Sequence, residues 1–252
     1  MNMVMLYIVL FLLGNLVGIY LHHLASYYHR NPKEWSAIFK CEECGQRPGW
    51  LQFLPISRMV LSASAHSCCS TKNRLKNSLL EALPGLIYVG LYLKFENSLD
   101  FLLAIVFSTL LLAGMWIDLE QRLIPNVITI AGIVIGLSSA LFLRRPVFLD
   151  SVLGILICGG FLYLGGLLGG YLFHKPNAMG GGDIKYAAMI GSFLGWENGF
   201  WAVYVATVAA TMYGVIVLLK HRGEKGREIC FGPFLAGGAV LILLLGNAYV
   251  FF

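Results

Sequence analysis

Two aspartates, Asp118 and Asp183, stand apart from the other acidic residues of this chain. Asp118 ends an apolar run in Gly-Met-Trp-Ile-Asp-Leu-Glu, just ahead of Arg122, Pro125 and Asn126. Asp183 follows Gly180, Gly181 and Gly182 and opens a further apolar run that contains Lys185. Two carboxylates brought together where the dielectric is low cannot both ionise cheaply, so they share a proton. The ionised partner can take a proton from water as that water attacks a peptide carbonyl. The protonated partner can polarise the carbonyl and later help the amine leave. Such a pair titrates as a unit, so the sequence does not say which aspartate holds the proton. Consecutive glycines ahead of a carboxylate let an irregular backbone approach another chain closely. The plainer readings are local: Asp118 caps a helix end or pairs with Arg122, and Asp183 is the N-cap of the helix that follows.

A second chemistry-bearing group lies upstream. Cys41 and Cys44 form C-x-x-C, and His66, Cys68 and Cys69 follow in His-Ser-Cys-Cys. Zinc takes four nitrogen or sulfur ligands in a tetrahedron, and C-x-x-C supplies two from one tight turn. Cys158 and Cys230 lie in or beside apolar runs and read as ordinary small apolar residues.

The elements that must carry these groups are membrane helices. Hydrophobic residues make up 58% of the 252, and charged residues only 12%. A soluble domain has roughly 45–50% apolar and about a quarter charged residues. The apolar residues come in continuous runs without period-2 alternation, which selects helices over a barrel. About eight spans are expected, near 3–21, 78–93, 99–117, 124–143, 149–173, 184–196, 199–219 and 231–251, the sixth of them short. The fold class is therefore all-α and polytopic. The run from Met3 to Leu21 lacks a basic lead and a small-residue cleavage site, so it is read as a retained span, with cleavage near Ala25 as the alternative. Gly159, Gly160, Gly165, Gly166, Gly169 and Gly170 in the fifth span are read as helix-packing positions, and Glu81 as facing the protein interior.

Placing residues 22–77 inside puts fifteen of the eighteen Lys/Arg on the cytoplasmic side, leaving Lys94, Arg144 and Arg145 outside. This positive-inside bias sets both termini outside and brings Asp118 and Asp183 independently to the inner membrane face. The net charge of +5 fits anionic lipid headgroups and requires no nucleic acid. Three regions follow: a first span (1–21), a small cytoplasmic Cys/His loop domain (22–77) for which a metal is a plausible staple, and a membrane-embedded domain (78–252). Intramembrane carboxylates also serve ion-coupled transporters. That alternative expects repeated halves with paired broken helices, and no convincing repeat is present. A scaffold whose zinc loop binds a partner explains the cysteines but not the two acidic motifs.

Asp118-Leu119-Glu120-Gln121-Arg122-Leu123-Ile124-Pro125-Asn126 resembles the first catalytic signature of bacterial type IV prepilin peptidases, and Met179-Gly180-Gly181-Gly182-Asp183-Ile184-Lys185 resembles their G-x-G-D-x-K motif. Phe231-Gly232-Pro233-Phe234-Leu235-Ala236 resembles the start of their last span. The resemblance implies an aspartic peptidase of the bacterial inner membrane. Such enzymes remove basic leaders from prepilins or pseudopilins after a Gly at the cytoplasmic face. It makes Asp118 and Asp183 the catalytic pair, Gly180 and Gly182 backbone support, and Lys185 a motif residue. For Lys185 the alternative is a snorkelling positive-inside lysine. The family's four-cysteine pattern falls on Cys41, Cys44, His66 and Cys69, a Cys3His zinc site, with Cys68 as the alternative to His66. Bifunctional members also methylate the new N-terminus with S-adenosylmethionine. Gly18, His23, Gln52 and His66 depart from their pattern, so methyltransfer stays an open alternative to peptidase activity alone.

Overall fold

The computed structural model describes residues 3–29, 71–96, 98–142, 146–172, 179–220 and 230–246. Cys41, Cys44, His66, Cys68 and Cys69, and with them the expected zinc site, lie outside those residues. Among the described residues every regular element is a helix: α1 Met3–His29, α2 Thr71–Phe95, α3 Leu99–Gln121, α4 Asn126–Phe142, α5 Phe148–Leu172, α6 Gly181–Lys220 and α7 Gly232–Leu245. Four of them, α1 (over Met3–His22), α3, α5 and α6, are long and apolar enough to cross a membrane. The others differ for visible reasons. Helix α2 opens on the polar stretch Thr-Lys-Asn-Arg-Leu-Lys, α4 has 17 residues and α7 has 14. The expected sixth and seventh spans both fall within α6.

The chain divides into two compact units, Met1–Asn97 and Ser98–Phe252. In the first, α1 and α2 run antiparallel with their backbones nearly touching. A Cβ on Gly14 would lie 2.6 Å from the Cα of Gly85, and Gly18 packs on the carbonyl of Glu81. Small residues permit this approach between membrane helices. Tyr7 meets Tyr92 edge-on, with ring centroids 5.9 Å apart. Glu81 is 2% exposed, which bears out its expected inward orientation.

In the second unit α3 begins at Ser98, whose hydroxyl accepts the Phe101 N–H at 3.3 Å, and carries Asp100 in its first turn. Both features suit a helix N-terminus. The first arm of α6 packs antiparallel to α3. Phe107 stacks on Phe193 at 4.6 Å between centroids. Further along, the Tyr186 hydroxyl donates to the Leu111 carbonyl, and its ring occupies the space left by Gly114. Helix α4 runs parallel to the same arm, with Ile124 against Gly182, Gly132 against Met189 and Gly136 against Ser192. These registers bring the end of α3 and the starts of α4 and α6 to one end of the bundle.

Helix α6 is not a straight rod. At Gly195 the backbone takes φ 74° and ψ −178°, a left-handed conformation that only glycine adopts at low cost. The two arms fold back on each other there, so a Cβ on Gly199 would lie 3.0 Å from the Gly191 Cα. Gly154 and Cys158 of α5 fill the crotch, with Cys158 Sγ 2.9 Å from that same Cβ position. Helix α7 packs antiparallel to the second arm: Gly238 meets Ala202 and Ala206, and the Phe234 ring lies 5.6 Å from that of Tyr213. The start of α7 therefore returns to the end that holds the start of α6. The packing reading of the α5 glycines holds for Gly159, 3.4 Å from Ala188, and for Gly166, 2.8 Å from Met179. It fails for Gly160 and Gly165, where a Cβ would have nothing within 4 Å among the described residues.

Candidate active site

Asp118 sits at the end of a continuously buried stretch of α3 and is 5% exposed. The helix stops one turn later because Arg122 enters the left-handed region (φ 55°), and its N–H bonds the Asp118 carbonyl at 2.8 Å. Pro125 then starts α4, its carbonyl accepting the N–H groups of Ile128 and Thr129 at 3.2 and 3.3 Å. The chain thus turns immediately beyond Asp118, and the loop 122–126 lies against the start of α6.

The glycines before Asp183 have separable tasks. A Cβ on Gly180 would lie 3.0 Å from Asp183 Oδ2, so Gly180 leaves room for the carboxylate itself. A Cβ on Gly182 would lie 3.3 Å from Ile124 Cβ and 3.4 Å from its carbonyl oxygen, so Gly182 admits the loop that follows Asp118. A Cβ on Gly181 would have nothing within 4 Å among the described residues. The two glycines that matter are the two that the G-x-G-D pattern singles out. Asp183 lies in the first turn of α6, and its N–H bonds the Gly180 carbonyl at 3.2 Å.

The third wall is the start of α7. The Gly232 N–H donates to Asp118 Oδ2 at 2.8 Å across 114 residues of sequence, in a buried bond. A Cβ there would lie 2.7 Å from that oxygen and 2.9 Å from Asp118 Cβ. Capping is thus part of what Asp118 does, but the helix it caps is α7 rather than its own.

The two aspartates interact electrostatically with each other, and both act on the buried hydroxyl of Tyr186. Cys230 is a correction to the sequence reading. It is half-buried, its thiol is bonded by the Arg122 side chain, and it lies within reach of the Asp118 charge. Burial first, and then Asp118, push this thiol above its ordinary range, against the opposing pull of Arg122. Lys185 is exposed, and its Nζ donates to Asn126 Oδ1 at 2.8 Å, which joins the two acidic motifs.

The site thus contains Asp118, Asp183, Gly180, Gly182 and Lys185 in one region. It also contains Asn126, Tyr186, Gly114 and Gly232, which the sequence left without a role. For Gly114 the available signal was its spacing, one helical turn before Asp118. Among the described residues no group of three or more His, Cys, Asp or Glu is placed to hold a metal. The arrangement suits acid–base chemistry by two carboxylates on an acyl carbon, with water as nucleophile.

Residues 105–215 match the type IV leader peptidase family, a segment that includes both aspartates. A prepilin leader peptidase/N-methyltransferase of Myxococcus xanthus (strain DK1622) is 26% identical over 214 residues, covering 83% of this chain and 62% of that protein. One of the same name from Dichelobacter nodosus is 28% identical over 211 residues, 82% of this chain and 71% of that protein. Another, from Bacillus subtilis (strain 168), is 26% identical over 251 residues, 97% of this chain and 96% of that protein. The chain thus spans under two thirds of the Myxococcus protein and nearly all of the Bacillus one. No solved structure matches. The comparisons lend no support to the transporter alternative.

Proposed function

We propose that this chain, whose residues 105–215 belong to the type IV leader peptidase family, is a membrane aspartic endopeptidase. It removes basic leaders from type IV prepilins or type II secretion pseudopilins. The observation that carries the reading is the convergence of Asp118 and Asp183 from α3 and α6, close enough to interact electrostatically. One carboxylate takes the proton of the attacking water, and the other holds the carbonyl oxygen and then protonates the leaving amine. Cleavage follows a Gly at the cytoplasmic membrane face, where the leader stays in water and the apolar segment behind it stays in lipid.

The α6 reversal at Gly195 supports an arrangement of eight spans, in which its two arms are separate crossings. The positive-inside bias supports outward termini. The spacing of Cys41, Cys44, His66 and Cys69 supports a structural zinc site in the 22–77 loop, with Cys68 as the alternative to His66. The names of the relatives support a second activity, S-adenosylmethionine-dependent methylation of the new N-terminus, as a step separate from cleavage.

The test is incubation of the purified protein, in lipid, with a prepilin or pseudopilin precursor, followed by mass spectrometry of the products. The reading expects a single cut after the Gly that precedes the apolar segment. An uncut precursor, or cuts scattered along the leader, contradicts it. Added S-adenosylmethionine reads out methylation in the same spectrum.

A further inference from the structure

The N-terminus of a helix carries N–H groups with no intrahelical acceptor, and each needs a partner. At the start of α7 those from Gly232 onward can be accounted for one by one. Pro233 has no N–H. Phe234 and Leu235 donate to the Phe231 carbonyl at 3.1 and 3.2 Å. The N-cap position is held by Phe231, whose side chain makes no cap bond. The Gly232 N–H remains, and it is Asp118 Oδ2 that accepts it. A side-chain oxygen ordinarily supplied by the N-cap residue is supplied here by one of the two aspartates.

This bond is not symmetric between the protonation states of the pair. Both aspartates lie at a helix start, so the helix-end field does not separate them, but a backbone N–H donated to one carboxylate favours the ionised form of that one. We propose that Gly232 and the start of α7 hold Asp118 as the ionised member of the pair, which makes Asp118 the base toward water and Asp183 the acid toward the peptide. The proposal rests on the aspartic-peptidase reading above and adds a direction to it. Gly232 acts through Asp118 and is a positioning residue. Its missing side chain is required, because a Cβ would overlap the carboxylate.

The groups that face Asp118 are few. Among the described residues, Asp183 and Tyr186 of α6 and Cys230 before α7 interact electrostatically with it, and Arg122, beyond the end of its own helix, bonds Cys230. Helices α4 and α7 carry no titratable side chain. The Gly232 N–H, donated to Asp118, is therefore the contact from α7 that distinguishes the two acids.

The experiment is the pH dependence of precursor cleavage, with kcat and KM resolved, for wild type, Gly232→Ala and Gly237→Ala. Gly237 lies on the same helix, where a Cβ would have nothing within 4 Å among the described residues, and controls for an added methyl group. Gly232→Ala is expected to move the acidic limb of the kcat profile upward by about one pH unit, as the ionised form loses its partner. Its kcat at the optimum should fall about tenfold or more with KM little changed, while Gly237→Ala matches wild type. An unmoved acidic limb in Gly232→Ala, or an equal shift in Gly237→Ala, overturns the assignment. If Gly232→Ala does not fold, Pro233→Ala serves instead. It keeps the Gly232 N–H, adds a donor to the same turn, and should leave the limb in place or move it downward; an upward move overturns the assignment. Cleavage retained in Asp118→Asn would instead remove the underlying dyad, so the two failures read differently.

Discussion

Lys185 Nζ donates to Asn126 Oδ1 at 2.8 Å, tying the start of α6 to the start of α4. Asn126 lies eight residues after Asp118, and Lys185 two after Asp183. With Ile124 pressed on Gly182, this bond fixes the loop beyond one aspartate to the helix that carries the other. Lys185→Ala and Asn126→Ala should each lower kcat about tenfold, since displacements on the order of 1 Å near a reacting pair are costly. The double variant should be no worse than either single one, the sign of a shared interaction. Effects that simply multiply would mean that the two residues act independently.

The glycine motif makes a sharper prediction within three consecutive residues. Gly181→Ala adds a methyl group with nothing within 4 Å among the described residues, while Gly182→Ala puts one 3.3 Å from Ile124. Cleavage by Gly181→Ala should stay within about twofold of wild type, whereas Gly182→Ala should lose about tenfold or more as the loop is pushed away. Initial rates on one precursor suffice. Equal losses at both positions would show that the motif acts through backbone flexibility rather than close approach.

Cys230 offers a reporter that does not depend on turnover. Its thiol is raised by burial and by the charge of Asp118, and the thiolate is the reactive form. Alkylation at neutral pH should therefore be slow. Asp118→Asn removes one of the two raising effects, so a larger thiolate fraction and roughly threefold faster labelling of Cys230 are expected. Peptide mass spectrometry distinguishes it from the other thiols. Unchanged or slower labelling in that variant would mean that Asp118 carries no charge felt at Cys230.

The zinc proposal is tested by metal content. His66→Ala should lower bound zinc more than Cys68→Ala, because residue 66 and not 68 occupies the third ligand position, with the spacing to Cys69 that Cys41 has to Cys44. Equal zinc in the wild type and His66→Ala would replace His66 by Cys68 in the ligand set.

The helical class and the single end shared by Asp118 and Asp183 were legible because apolar runs and basic loops report directly on lipid. The reversal at Gly195 was not, since a lone glycine in an apolar stretch gives no backbone angle. It joined two expected spans into α6 and let Gly191 meet Gly199. Gly160 and Gly165 show the converse error: composition marked them as packing residues, but the rotation of α5 leaves them open. Partners supplied across the bundle were invisible for a simpler reason. The Gly232 amide and the Tyr186 hydroxyl reach their acceptors across 114 and 75 residues, and no local pattern announces a backbone donor.

The central claim is tested most directly by single-turnover cleavage of a prepilin precursor by Asp118→Asn and Asp183→Asn, each matched to wild type in folding and metal content. The account predicts no cleavage above background from either variant, because one carboxylate cannot take the water's proton and hold the carbonyl oxygen as a protonated acid in the same step. Cleavage at a measurable fraction of the wild-type rate by either one would contradict it.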